Sequence, residues 1–106
     1  GAGFLDAFRL GAELYSLRSD LNVVASRVVT NSEEIQRIDS DVAGIESRII
    51  LDDTTPAQRT QLLADMRELS EIKGELVLES ELLIEERTLV EFALYEFEFT
   101  VSEAGF

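Results

Sequence analysis

The stretch "LGAELYSLRSDLNVVASRVVTNSEEIQRIDSDVAGIESRI", residues 10–49, decides the fold because its apolar residues recur at alternating steps of four and three. Helical residues at these spacings share one face. Twelve positions follow the pattern, and we call them the seam: Leu10, Leu14, Leu17, Leu21, Val24, Val28, Asn31, Ile35, Ile38, Val42, Ile45 and Ile49. A straight helix drifts about 20° per heptad from such a 3.5-residue period, so its persistence over more than five heptads is typical of a coiled coil.

Asn31 is the polar member of the seam, and it allows two interpretations. In the first, a helix ends at Thr30, where Thr30 and Glu33 form a capping box, and the chain becomes a spectrin-like bundle of three helices. In the second, the helix continues, because the heptad phase does not slip after Asn31. We favour the continuous helix. The Asn31 amide must then find partners inside the seam or cost about 1–3 kcal/mol.

The composition of the seam predicts the number of strands. Every apolar seam residue from Val24 to Ile49 is Val or Ile, and β-branched residues at both core positions favour three or four strands over two. We therefore expect a parallel homotrimer in which the Asn31 side chains of neighbouring copies meet. A single polar layer of this kind fixes register and strand number. It resembles the Asn layers in the trimeric fibre stalks of adhesins and viral fibres.

The stretch "LDDTTPAQ", residues 51–58, predicts a turn and a second helix. Thr55 is a good N-cap, Pro56 suits the first helical position, and Gln58 completes a capping box with Thr55. Asp52 and Asp53 are residues that favour turns. We expect helix one at about 5–50, the turn at 51–55 and helix two at about 56–94. A connection this short predicts an antiparallel helical hairpin.

Helix two has one apolar column and one mixed column. The apolar column comprises Leu62, Leu69, Leu76, Leu83 and Val90. The mixed column comprises Met66, Lys73, Ser80 and Arg87. This asymmetry suits an outer helix better than a central one. Three hairpins around a central trimer would form a six-helix arrangement, and Gly74 would mark a bend or a close contact in the outer helix.

Both chain ends are aromatic. The tail at 95–106 alternates apolar and polar residues in "YEFEFTVS", which predicts a short C-terminal β-strand. The alternative is a helix end whose Phe residues pack on the start of helix one, where "GAGFLDAF" offers an apolar plug. The residues expected to make these end contacts are Phe4, Phe8, Tyr95, Phe97 and Phe99.

Composition and charge bound the class of protein. The 106 residues are enough for one domain, 1–106, and carry a net charge of −13. Nucleic acids and anionic membrane surfaces both require clustered positive charge, so we expect neither as a partner. We also expect no membrane span, because no apolar run approaches about 18 residues. The charge allows a basic partner or an environment of high ionic strength.

The sequence predicts no catalytic, cofactor-binding or metal-binding residues. Cys and His are both absent, which removes thiolate nucleophiles and the usual zinc ligands. Adjacent carboxylates such as Glu33 and Glu34 do not face each other on a helix. The Asp52–Asp53 pair lacks the ligand spacing and the Gly of a calcium loop. We therefore expect a protein that is not an enzyme and binds no cofactor.

The all-α hairpin with coiled-coil heptads favours a structural role. We expect a homo-oligomeric rod, fibre, stalk or connector in a larger assembly, such as a virion or an extracellular surface appendage, that contacts itself and other assembly proteins. The alternative is an adaptor or scaffold hairpin whose apolar stripe binds a helix of a different protein. A central trimer with antiparallel outer helices is also similar to class I viral fusion subunits, but Asp6 and Arg9 interrupt the apolar N-terminus.

Overall fold

A computed structural model describes residues 2–51 and 53–105 and shows an all-helical chain. Helix α1 spans Ala2–Ile50 and helix α2 spans Pro56–Glu103. The two helices form the predicted helical hairpin. Asp52, one of the two predicted turn residues, lies outside the described residues.

Helix α1 runs through Asn31 without a break. Thr30, Asn31 and Glu33 are all helical, so the interpretation with three helices is wrong. A capping box stabilises a helix start only where the preceding backbone leaves the helix. Here the heptad phase of the apolar seam is the same before and after Asn31, and this favours one continuous helix.

The start of α2 confirms the predicted capping box. The Thr55 backbone N–H donates to Gln58 Oε1 at 2.9 Å, and the Gln58 N–H donates to Thr55 Oγ1 at 3.2 Å. Pro56 occupies the first helical position, where its missing N–H removes no hydrogen bond. Side chains and backbone therefore satisfy two of the free donors at this helix end.

The predicted C-terminal strand is wrong, because α2 continues through Glu103 and residues 53–105 contain no strand. Leu94, Phe97 and Val101 continue the three–four spacing of the half-buried face of α2. A lone strand leaves its backbone groups without partners, whereas a helix satisfies them internally. The helical spacing of these three residues therefore prevails over the period-two alternation.

The structure divides into two compact units. The terminal unit combines Gly1–Val28 with Leu82–Phe106, and the turn unit comprises Val29–Glu81. In each unit a segment of α1 packs antiparallel to a segment of α2. The Arg18–Glu98 ion pair joins the two segments of the terminal unit at 3.3 Å, and the Lys73–Asp39 pair joins those of the turn unit at 2.6 Å.

Gly74 neither contacts a neighbouring element nor needs a special backbone conformation. A Cβ atom built on it meets no atom within 4 Å, and the same holds for Gly44. We therefore expect Gly74→Ala to raise the free energy of unfolding by about 1 kcal/mol, because Ala loses less backbone entropy in a helix. Urea unfolding followed by circular dichroism measures the change.

Gly105 supplies the matched control for this substitution. It also has open space around it, but its φ angle is 82°, which L-residues rarely adopt. Gly105→Ala should therefore give no gain in stability. A loss of stability on Gly74→Ala would show instead that another chain approaches the helix at Gly74.

Candidate interaction surfaces

The seam lies against α2 in the single chain. Val24 and Ile38 are buried, and the other ten seam residues are half-buried. On α1 the only residues outside the seam with comparable burial are Ala25 and Glu34 among those described. In each of the two units the seam is therefore the face of α1 that α2 covers in part. Whether copies of the chain also contact it remains a prediction.

Both columns of α2 face α1, including the mixed one. The residues of α2 at alternating steps of three and four are buried or half-buried from Arg59 to Val101. They include Leu62 and Leu83, which are buried, and Lys73 and Ser80, which are half-buried. Lys73 is tolerated in the mixed column because its side chain reaches the edge of the interface: Lys73 Nζ lies 2.6 Å from Asp39 Oδ1.

Asn31 and Ser80 form a polar layer inside the turn unit. Counting along both helices from the Lys73–Asp39 pair places Asn31 at the level of Ser80. Asn31 Nδ2 and Ser80 Oγ are both buried and have no hydrogen-bond partner among the described residues. The interface of the turn unit thus leaves two buried polar groups unsatisfied, one on each helix, and the predicted contact between Asn31 side chains of neighbouring copies stays a prediction.

The chain pairs several of its charged side chains, both between the helices and within one helix. Asp39 pairs with Lys73, Glu34 pairs with Arg37 at 2.7 Å, and Arg18 pairs with a Glu of α2. The paired side chains are largely exposed, so each pair contributes at most about 1 kcal/mol. The Arg18–Glu98 and Lys73–Asp39 pairs join α1 to α2 and favour their antiparallel register, whereas Glu34–Arg37 lies within α1.

The predicted end-contact residues separate into two groups. Phe97 is half-buried in the terminal unit, where it lines a cavity of about 220 Å³ together with Ala7, Leu10 and Leu14. The other four are exposed: Phe4, Phe8, Tyr95 and Phe99. Phe97 therefore packs the tail of α2 on the start of α1, as the helical alternative predicted. The other four point away from that contact.

The outer side of α2 carries an apolar stripe that sequence reasoning missed. Within the terminal unit its members are exposed and recur at steps of seven, three and seven: Leu82, Leu89, Phe92 and Phe99. Glu85 and Glu96 occupy the intervening positions of the same face. The spacing is visible in the sequence, but only the packing of α2 on α1 decides that these side chains lie on the exposed side.

Among residues 2–51 and 53–105, no group of three or more acidic, Cys or His side chains could hold a metal ion. Neither described helix contains a stretch long and apolar enough to cross a membrane. No family model, no curated protein and no solved structure matches this chain.

Proposed function

We propose that this chain is a structural assembly protein that works as a homo-oligomer. The observation that carries the proposal is the imbalance between buried and exposed apolar residues. In the described chain only four apolar side chains are buried, whereas seventeen large ones are exposed. A domain of this size depends on apolar burial to offset the conformational entropy of its chain. Further burial against other chains would supply the missing part.

The surface area supports the same proposal. The chain exposes 7842 Å², whereas a compact monomer of 11.8 kDa is expected to expose about 5,900 Å². The excess is large compared with the roughly 800 Å² that each partner buries in a standard protein interface. Association of copies would bury this excess surface without any change in the fold of the single chain.

A homotrimer is the oligomer we propose, for two reasons. The Val and Ile residues at both core positions of the seam favour three or four strands. Ten of the twelve seam residues also keep part of their exposure in the single chain, so α2 leaves room for a further helix at its edge. A rod, stalk or connector built from such hairpins is the role that fits a surface of apolar stripes and acidic residues.

Sedimentation equilibrium tests the proposal. At 100 µM protein we expect a mass of three chains of 11.8 kDa each. Raising the salt concentration should tighten the association, because each chain carries a net charge of −13 and screening weakens the repulsion between copies. A monomer at 100 µM in both low and high salt would exclude the homo-oligomer and favour the adaptor hairpin.

A charge variant controls the interpretation of the salt effect. Glu81 and Glu86 are exposed on α2, and replacing both with Gln removes charge while keeping helix propensity. The variant should associate more tightly than the natural chain at low salt and equally at high salt. Equal association under both conditions would show that repulsion does not limit assembly.

A further inference from the structure

The terminal unit presents two exposed aromatic surfaces. We call Phe4, Phe8 and Tyr15 the α1 aromatic face. We call Phe92, Tyr95 and Phe99 the α2 aromatic face. Together these exposed residues are six of the eight aromatic residues of the chain. Phe92, Tyr95 and Phe99 also line an open groove of about 580 Å³ with Glu96 and Thr100.

The α1 aromatic face points away from α2. Phe8 lies two residues before Leu10, and Tyr15 lies two residues before Leu17, which are both half-buried seam residues. Two residues correspond to about 200° of rotation around a helix. The exposed aromatic residue and the half-buried seam residue of each pair are therefore on nearly opposite sides of α1.

The α2 aromatic face points away from α1 for the same reason. Phe92 precedes the half-buried Leu94 by two residues, and Phe99 precedes the half-buried Val101 by two residues. The two aromatic faces are thus on opposite outer sides of the terminal unit. One copy cannot bring its own two faces together, so both remain uncovered in the single chain.

The two faces match in spacing. Phe8 and Tyr15 are seven residues apart, and so are Phe92 and Phe99. Seven helical residues span about 10.5 Å, or two turns. An α1 aromatic face of one copy can therefore place its rings between those of an α2 aromatic face on another copy at two successive levels. Aromatic side chains that pack against a partner in this way often contribute most of the binding free energy of a protein interface.

The charges of the faces favour contact between unlike faces. The α2 segment 82–105 carries six Glu and one Arg, and Glu96 lies within the aromatic groove. Two α2 aromatic faces would bring these carboxylates together, which costs free energy. The α1 segment 2–28 has three acidic and three basic residues. It also offers Arg9, which has no ion pair among the described residues.

The exposed area of the chain agrees with two contacts per copy. The surface exceeds that expected for a compact monomer of this mass by about 1,900 Å². One interface of standard size covers about 800 Å² on each partner. Two different faces, each covered by a neighbouring copy, would account for most of the excess, whereas a single two-fold contact would leave about half of it uncovered.

We propose that the α1 aromatic face of one copy docks on the α2 aromatic face of the next copy. This inference rests on the proposed homo-oligomer and names the surfaces that build it. A contact between unlike faces is heterologous, so it closes into a ring when the rotation between copies permits and otherwise continues as a filament.

Two variants, each lacking one face, test the docking. The α1-face variant carries Phe8→Gln and Tyr15→Gln, and the α2-face variant carries Phe92→Gln and Phe99→Gln. All four positions are exposed, so the helices should persist, and circular dichroism checks this. Ile50→Gln with Leu63→Gln is the matched control, because both residues are exposed and apolar but lie in the turn unit.

Sedimentation velocity of the separate variants and of their equimolar mixture gives the readout. Each variant alone should associate at least about 100-fold more weakly than the natural chain, because two buried aromatic anchors are lost. The control should associate like the natural chain. The mixture should form a complex of two chains and stop there, because it contains one intact pair of unlike faces.

Other results would overturn the docking. An α1-face variant that still pairs with itself would show contact between α2 faces. A mixture that remains monomeric would show that the faces do not meet, while an oligomeric natural chain would leave the proposed function intact. A monomeric natural chain would overturn the docking and the proposed function together.

Discussion

Leu83→Ala is expected to lower the free energy of unfolding by about 2–5 kcal/mol, because it creates a cavity in the core. Leu83 is 5% exposed and is one of four buried apolar residues in the described chain. Small domains are stable by only about 5–15 kcal/mol in total. A hairpin with four buried side chains is expected to lose most of its helical structure when one of them is truncated.

Leu82→Ala is the matched control, because Leu82 is adjacent in sequence but 67% exposed. Below the association midpoint it should change the free energy of unfolding by less than about 0.5 kcal/mol. Urea unfolding followed by circular dichroism at 222 nm measures both variants. At higher protein concentration Leu82→Ala should become destabilising, since the proposed assembly covers the outer stripe of α2.

Equal behaviour of the two Leu variants in dilute protein would contradict the structure. If Leu83→Ala were neutral there, the interface between α1 and α2 would contribute nothing to the stability of the single chain. The helices would then form only within the oligomer. Comparing the variants below and above the association midpoint distinguishes the stability of the hairpin from that of the assembly.

Asn31→Ile is expected to raise the free energy of unfolding by about 1–3 kcal/mol. The substitution removes Asn31 Nδ2, a buried donor without a hydrogen-bond partner among the described residues, and adds apolar surface to the seam. Ser80→Ala should add a smaller gain, because Ser80 Oγ is the other unsatisfied atom at this level. Thermal unfolding of the two single variants and the double variant measures both effects.

Asn22→Ile is the control for Asn31→Ile. Asn22 is exposed on α1, so the same change of residue removes no buried polar group there and should alter stability by less than about 0.5 kcal/mol. If Asn31→Ile unfolded the chain while Asn22→Ile did not, the Asn31 amide would be making bonds that stabilise the hairpin. Two or more oligomer sizes for the Asn31 variant would show that the polar layer selects strand number.

Local signals in the sequence were sufficient for the hairpin. Thr55, Pro56 and Gln58 predicted the start of α2, and the hydrogen bonds of the capping box confirm it. The seam predicted a continuous α1 through Asn31. These features depend on residues within four positions of one another along the chain, so no knowledge of distant packing was needed.

The tail and the outer stripe were not predicted, because they depend on packing between distant segments. The alternation around Phe97 fits a strand and a helix equally well over a few residues. The contact of Phe97 with the start of α1 decides for the helix, and this contact joins residues about 90 positions apart. Because the tail is helical, Phe92 and Phe99 lie on the outer side of α2.

By itself the sequence determined that this chain forms two long helices, where the turn lies and which residue caps the second helix. The spacing of apolar residues and the capping box each involve one helix only, so the sequence predicts them without knowledge of the helix that packs against it. Only the tertiary structure decided that α2 covers the seam, that Ser80 joins Asn31 in one polar layer and that two aromatic faces remain exposed. Each of these depends on the register between α1 and α2, which side chains from both helices set together.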